Sequence, residues 1–196
     1  MSSVRLFSRL FSCVLVVIAL GGGMMVGMAS PASAASDADP HTIVRADMPA
    51  DAPRFKDYAV PVYTGKPARP AVRADKRSWL FRTELREAAA EGANFAGHYR
   101  LTSWGCGTAC FQWAIIDVKS GQVFHPANLA STEHQYVEES LYEGGIHAVH
   151  IRPDSRLLVV IGGINEDPMQ RGISWFVWDG KHLKRIRFVA KPYGKS

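Results

Sequence analysis

The chain has 196 residues, 47% of them hydrophobic, and carries 23 Lys and Arg against 18 Asp and Glu, a net charge of +5. That length suits one domain. The mild basic balance contains no contiguous block of like charge, which excludes a linear nucleic-acid or polyanion patch.

Arg5 and Arg9 precede an uncharged stretch that runs to Asp37, with Cys13–Leu20 as its apolar centre and Ala32-Ser33-Ala34 as a small-residue cleavage site. This three-part layout predicts a secretory signal peptide over residues 1–34, cleaved near Ala34. The stretch is long enough to act as an uncleaved anchor, but Gly21-Gly22-Gly23 and the Ala-Ser-Ala site favour cleavage. Cys13 precedes the apolar run instead of following it, which argues against a lipoprotein and removes Cys13 with the leader. The expected destination is the periplasm or the medium, and the two remaining cysteines there predict one disulfide.

Residues 35–54 are rich in Pro, Ala and Asp and lack a core-forming pattern, so they read as a flexible linker. Residues 55–77 include the alternating run Phe55 to Tyr63 and predict an extended arm lying on a globular domain at 78–192. The prolines of the arm limit it to an edge at best. A short helix is expected from Thr83 to Glu91: Thr83 caps the first turn, Glu84 and Glu87 suit its positive end, and Gly92 stops it. Leu85, Ala88 and Ala89 would face the core.

The period then changes to two, which predicts strands at Gly97–Trp104 and Phe111–Val118. Lys119-Ser120-Gly121 turns the chain into a short strand, Gln122–His125. Pro126–Gly145 holds four glutamates with few apolar anchors and reads either as an irregular acidic loop or as one marginal helix. Strands follow at Ile146–Ile151, Arg156–Gly162, Gly172–Asp179 and His182–Val189, with turns at Pro153-Asp154-Ser155 and Asp179-Gly180. The fold class is α+β and mostly β: a curled antiparallel meander sheet with one short N-terminal helix.

Cys106 and Cys110 lie between two strands with three residues separating them. A reactive dithiol usually has two intervening residues at a helix start, so the pair reads as a structural disulfide closing a hairpin-like loop. One such pair supplies too few ligands for zinc, and neither a metal nor a cofactor is expected. His98, His125, His134, His147 and His150 read as hydrogen-bonded or exposed side chains; on a strand His147 and His150 point to opposite faces.

Alternation through the first strand places His98, Arg100, Thr102 and Trp104 on one face and Tyr99, Leu101 and Ser103 on the other. The second set serves the core. The first set is either a solvent-facing side with one covering indole or a contact surface for a ligand or partner. On the contact reading the residues are Asn94, His98, Arg100, Trp104 and Thr108, beside the disulfide. No Gly-x-Ser-x-Gly elbow, His-Glu-x-x-His, phosphate loop or dinucleotide fingerprint occurs, so no catalytic residue is assigned.

The segments Phe81-Arg82-Thr83, Asn94-Phe95-Ala96-Gly97-His98-Tyr99, Trp104-Gly105-Cys106-Gly107-Thr108 with Cys110, and Ile116-Asp117 with Gly121 together form a linked set of motifs. The chain resembles a group of uncharacterised exported bacterial proteins that carry this motif pair, over about Phe81 to Val123 and more loosely over Asp154 to Val159. The resemblance implies export and a shared core. No activity is established for that group, and no catalytic residue carries over.

Two functional expectations result. The first is an exported, envelope-associated binding or inhibitor-like module, using the His98, Arg100 and Trp104 face and the rigid loop against an envelope protein or cell-wall ligand. The second is a small periplasmic hydrolase with its site near His98, Asn94 and Asp117. Neither nucleic acid nor, after cleavage, a membrane is an expected partner.

Overall fold

A computed structural model describes residues 39–193 of the chain. The leader expected over 1–34, with its cleavage site, lies outside the described residues. Helices α1 (Lys76–Leu80) and α2 (Arg82–Ala90) precede eight strands: β1 (Tyr99–Gly107), β2 (Cys110–Asp117), β3 (Val123–Phe124), β4 (Ser131–Glu133), β5 (Val149–Arg152), β6 (Ser155–Ile164), β7 (Asp167–Trp178) and β8 (Leu183–Ala190). They form one antiparallel sheet in the order β1-β2-β4-β6-β7-β8, with β3 paired to β2 and β5 paired to β6. The class is the expected one, α+β and mostly β.

Alternation on the central strands builds two apolar faces. Trp113 and Ile115 of β2, Leu158 and Val160 of β6, and Phe176 and Trp178 of β7 share one core with Phe95 and Leu101. Trp178 meets Tyr99 edge-on, with ring centroids 5.4 Å apart. β7 and β1 are not neighbours in the sheet, so this contact requires the sheet to curl around that inner face. It does not close into a barrel.

Two separate coverings protect the outer face. Over β1 and β2, helix α2 supplies Leu85, Ala88 and Ala89 against Trp104, Ala114 and Ile116. Over β5 to β7, the segment before the helices supplies Ile43, Met48, Ala52, Phe55 and Tyr58 against Leu157, Val159, Ile161, Ile173 and Trp175.

The segment expected as a flexible linker is therefore placed differently: from residue 39 onward it lies on the sheet. Ile43 is completely buried and makes a parallel bridge to Val137. Its apolar residues are too sparse to show a period, yet each fills a site that the sheet leaves open. The arm begins with a 3-10 turn at Phe55–Tyr58 where an extended run was expected, and beyond it is pinned at points, through the bridge Ala59 to Ser155 and the bond from Tyr63 N–H to Gly97 O, 2.9 Å. It ends sooner than expected, because Asp75 caps a second helix, α1, by accepting from the Ser78 amide at 2.8 Å.

Strands β6 and β7 are both longer than the sequence suggests. Asn165 and Glu166 each adopt a left-handed conformation (φ 57° and 58°), the geometry of a two-residue hairpin turn. The glycines that obscure the strand pattern, Gly162 and Gly172, sit opposite each other in the ladder. A methyl group on either would meet a backbone carbonyl, Glu133 O or Val189 O, so their small size permits the neighbouring strands to approach. Residues 126–145 are mainly irregular, with single short turns and the three-residue strand β4.

Candidate functional site

Cys106 and Cys110 are joined by a disulfide, with Cα atoms 5.1 Å apart. The bond crosses the end of the β1–β2 hairpin, where the register shifts between Gly105 and Gly107. Ala109 turns the chain with φ 54°, and its carbonyl accepts the His134 amide at 3.1 Å. The base of the loop is thus fixed to β4, while Gly105, Cys106, Gly107 and Thr108 remain exposed.

The contact residues expected from sequence are not gathered on one surface. Trp104 shares the outward parity of Arg100 and Thr102, but only 9% of it is accessible. Phe81 stacks on its ring, and its indole N–H donates to Gln112 Oε1 at 3.0 Å. Asn94 bonds the backbone of Leu101 in both directions, at 2.8 and 3.0 Å, which ties the loop after α2 to β1. Arg100 pairs with Glu91. These three side chains are engaged in holding the helices to the sheet.

His98 and Thr108 stay accessible at opposite ends of β1, roughly 30 Å apart at strand rise. His98 Nδ1 lies 2.8 Å from Asp117 Oδ1, with 29% of the imidazole side chain accessible. Burial disfavours the charge on Asp117, but bonds from Ser120 Oγ, the Lys119 amide and His98 together hold its carboxyl below the usual carboxylate range. The carboxylate fixes the imidazole with Nδ1–H donating, which leaves Nε2 as the free basic position.

Sequence reasoning missed the polar network beneath the disulfide loop. Trp113 Nε1–H donates to Thr132 Oγ1 at 2.9 Å. Thr132 Oγ1 is 2.8 Å from His134 Nε2, and His134 Nδ1 is 2.8 Å from Ile161 O. A carbonyl only accepts, so Nδ1 carries the proton and Nε2 accepts from the threonine hydroxyl. The polar side-chain atoms of Trp113, Thr132 and His134 are thereby all satisfied with His134 neutral. Burial drives the His134 pKa down to about 4. Phe111 stacks on His147 with ring centroids 3.3 Å apart, so an aromatic shelf flanks the loop. The alternation Thr132-x-His134 was the only available signal for this network.

A second unexpected set joins Asp75, Ser78 and His125. The Ser78 hydroxyl donates to Asp75 Oδ2 at 2.6 Å and lies 2.9 Å from His125 Nε2. The residue types suggest nucleophilic chemistry, but Ser78 is completely buried and stands between the other two. The set is a helix cap fastened to the strand end, and the three-residue spacing of Asp75 and Ser78 was its legible part.

Among the described residues, no three or more His, Cys, Asp or Glu side chains are grouped to hold a metal ion. Comparisons of the chain with protein-family models, with curated proteins and with solved structures find no match.

Proposed function

We propose that the chain is an exported, envelope-associated binding module, inhibitor-like in form, whose contact element is the disulfide-closed tip Gly105–Thr108. One observation carries the reading: the tip is exposed, whereas its base is fixed by the disulfide and by the Ala109 to His134 bond. A loop held in one shape before contact loses little conformational entropy on binding. A projecting tip suits insertion into a cleft of a protein partner. The expected leader and the resemblance to exported bacterial proteins support an envelope protein as that partner.

A photo-crosslinking amino acid at Thr108, in cells exporting the protein, tests this. A discrete envelope adduct is expected from position 108 and not from exposed Lys184, which the strand register puts at the opposite end of the sheet. Equal adducts at both positions, or none at 108, would reject the tip as the contact element.

The hydrolase reading is favoured by the His98–Asp117 pair, which presents an oriented imidazole base. On that reading a hydrolytic activity of the purified protein disappears in His98→Gln while thermal stability is kept. Activity that survives the substitution excludes His98 as the base.

A further inference from the structure

Trp79 and Leu80, adjacent on α1, are 46% and 67% exposed. Among the described residues the other four tryptophans are at most 9% exposed, so this indole is outside every core cluster. Cations surround it. The Arg82 guanidinium lies 4.8 Å and that of Arg73 5.8 Å from the Trp79 ring. An open hollow of about 620 Å³ beside the indole is lined by Arg73, Ala74, Asp75, Lys76 and Trp79. A second, of about 510 Å³, is lined by Arg69 and Arg86.

Arg82 and Arg86 are four residues apart and share one flank of α2. At 100° per residue, Glu84 and Glu87 fall on its other flank. Asp75 is the acidic residue nearest the indole in sequence, and its carboxylate is occupied by the Ser78 amide and hydroxyl. Arg73, Lys76 and Arg82 therefore lie beside one apolar pair, and Arg86, one turn beyond Arg82, extends the positive surface toward Arg69, although no run of like charge appears in the sequence.

We infer that this surface docks on an anionic lipid bilayer, with Trp79 and Leu80 entering the headgroup layer and Arg69, Arg73, Lys76, Arg82 and Arg86 meeting lipid phosphates. Trp at an interface, an apolar neighbour and a basic surround are the elements of peripheral membrane binding. Exposed Leu80 decides against an anionic polysaccharide, to which an aliphatic side chain offers nothing. This docking departs from the sequence expectation of no membrane partner after cleavage, and no helix among the described residues is long and apolar enough to cross a bilayer. Surface docking needs none.

The test uses the exported form of the protein, recovered from the envelope or medium with its N-terminus read by mass spectrometry. Vesicles of equal parts phosphatidylglycerol and phosphatidylcholine should bind it, and phosphatidylcholine alone should bind at least about tenfold less. Added salt should release it. Iodide quenching, which reaches the exposed indole of Trp79 selectively, should fall on vesicle binding. Trp79→Ala with Leu80→Ser, and separately Arg73→Gln with Arg82→Gln, should each weaken binding about tenfold with the fold intact by circular dichroism. Equal binding to neutral vesicles, or unchanged binding by the Trp79 and Leu80 variant, overturns the inference. So does binding to a soluble polyanion that is as tight and indifferent to Leu80.

Discussion

Phe81 lies stacked on Trp104 with ring centroids 4.1 Å apart, and this contact joins the hinge between the two helices to the outer face of β1. Leu85, Ala88 and Ala89 continue the same cluster. Trp104→Ala should therefore destabilise the protein by about 3–5 kcal/mol and free α2 from the sheet. Trp104→Phe keeps the stack but loses the bond to Gln112, and should cost about 1 kcal/mol. Urea midpoints of the two variants, at unchanged slope, check the difference.

Closing a loop as short as that between Cys106 and Cys110 removes little chain entropy from the unfolded state. Replacing both cysteines by Ser should lower stability by about 2 kcal/mol. Amide exchange should accelerate at Gly105–Thr108 and remain slow in β6 and β7, which hydrogen exchange followed by mass spectrometry would resolve.

His134 makes stability depend on pH in a defined direction. Its folded pKa is about 4 against an ordinary 6.5, so between these values the unfolded chain binds the proton more readily. Stability contributed by the neutral imidazole is complete above about pH 6.5, falls as pH drops toward 4, and levels off below, for a total of about 3 kcal/mol. His125 and His147 are shifted down as well, chiefly by burial, and add in the same sense. His134→Gln should flatten the slope of the urea midpoint across that window. The lowered carboxyls of Asp75 and Asp117 act at more acid pH, where their protonation removes stability.

Gly172 has φ 151°, and a Cβ there would collide with Val189 O across the β7–β8 ladder. Gly172→Ala should destabilise by about 2 kcal/mol or more, because a backbone contact cannot turn aside as a side chain can. Ala at exposed Gly105, where a Cβ meets nothing within 4 Å, should change stability little. Thermal unfolding of the pair provides the comparison.

Much of the sheet was legible because its strands alternate and its turns carry their own chemistry. Helix α2 was found within a residue at each end, through its apolar triad and Gly92. The face assignment along β1 was also sound, since Leu101 enters the inner core and Trp104 the outer one. Which face would be covered was not legible. Nothing local to Trp104 reveals that Phe81 will lie over it, because that depends on how α1 and α2 fold back. Helix α1 itself is too short for a period to show, and the docked segment around Ile43 has single anchors with no repeat. Asp117 could be named beside His98 because a hairpin brings strand ends together. The Trp113 to His134 network joins separate strands and a backbone carbonyl, a pairing that only the register defines.

Docking of the N-terminal segment also sets an order of assembly. Asp47 bonds Lys191, 144 positions later, and Asp51 bonds Arg187, 136 positions later. Contacts of such sequence separation form slowly, since they must await the intervening chain. The first residues of the domain to leave a ribosome are consequently among the last to complete their contacts. Until β6 and β7 emerge the segment has no apolar face to cover, and a nascent chain stalled short of Arg187 would hold it there without the Asp47 and Asp51 bonds.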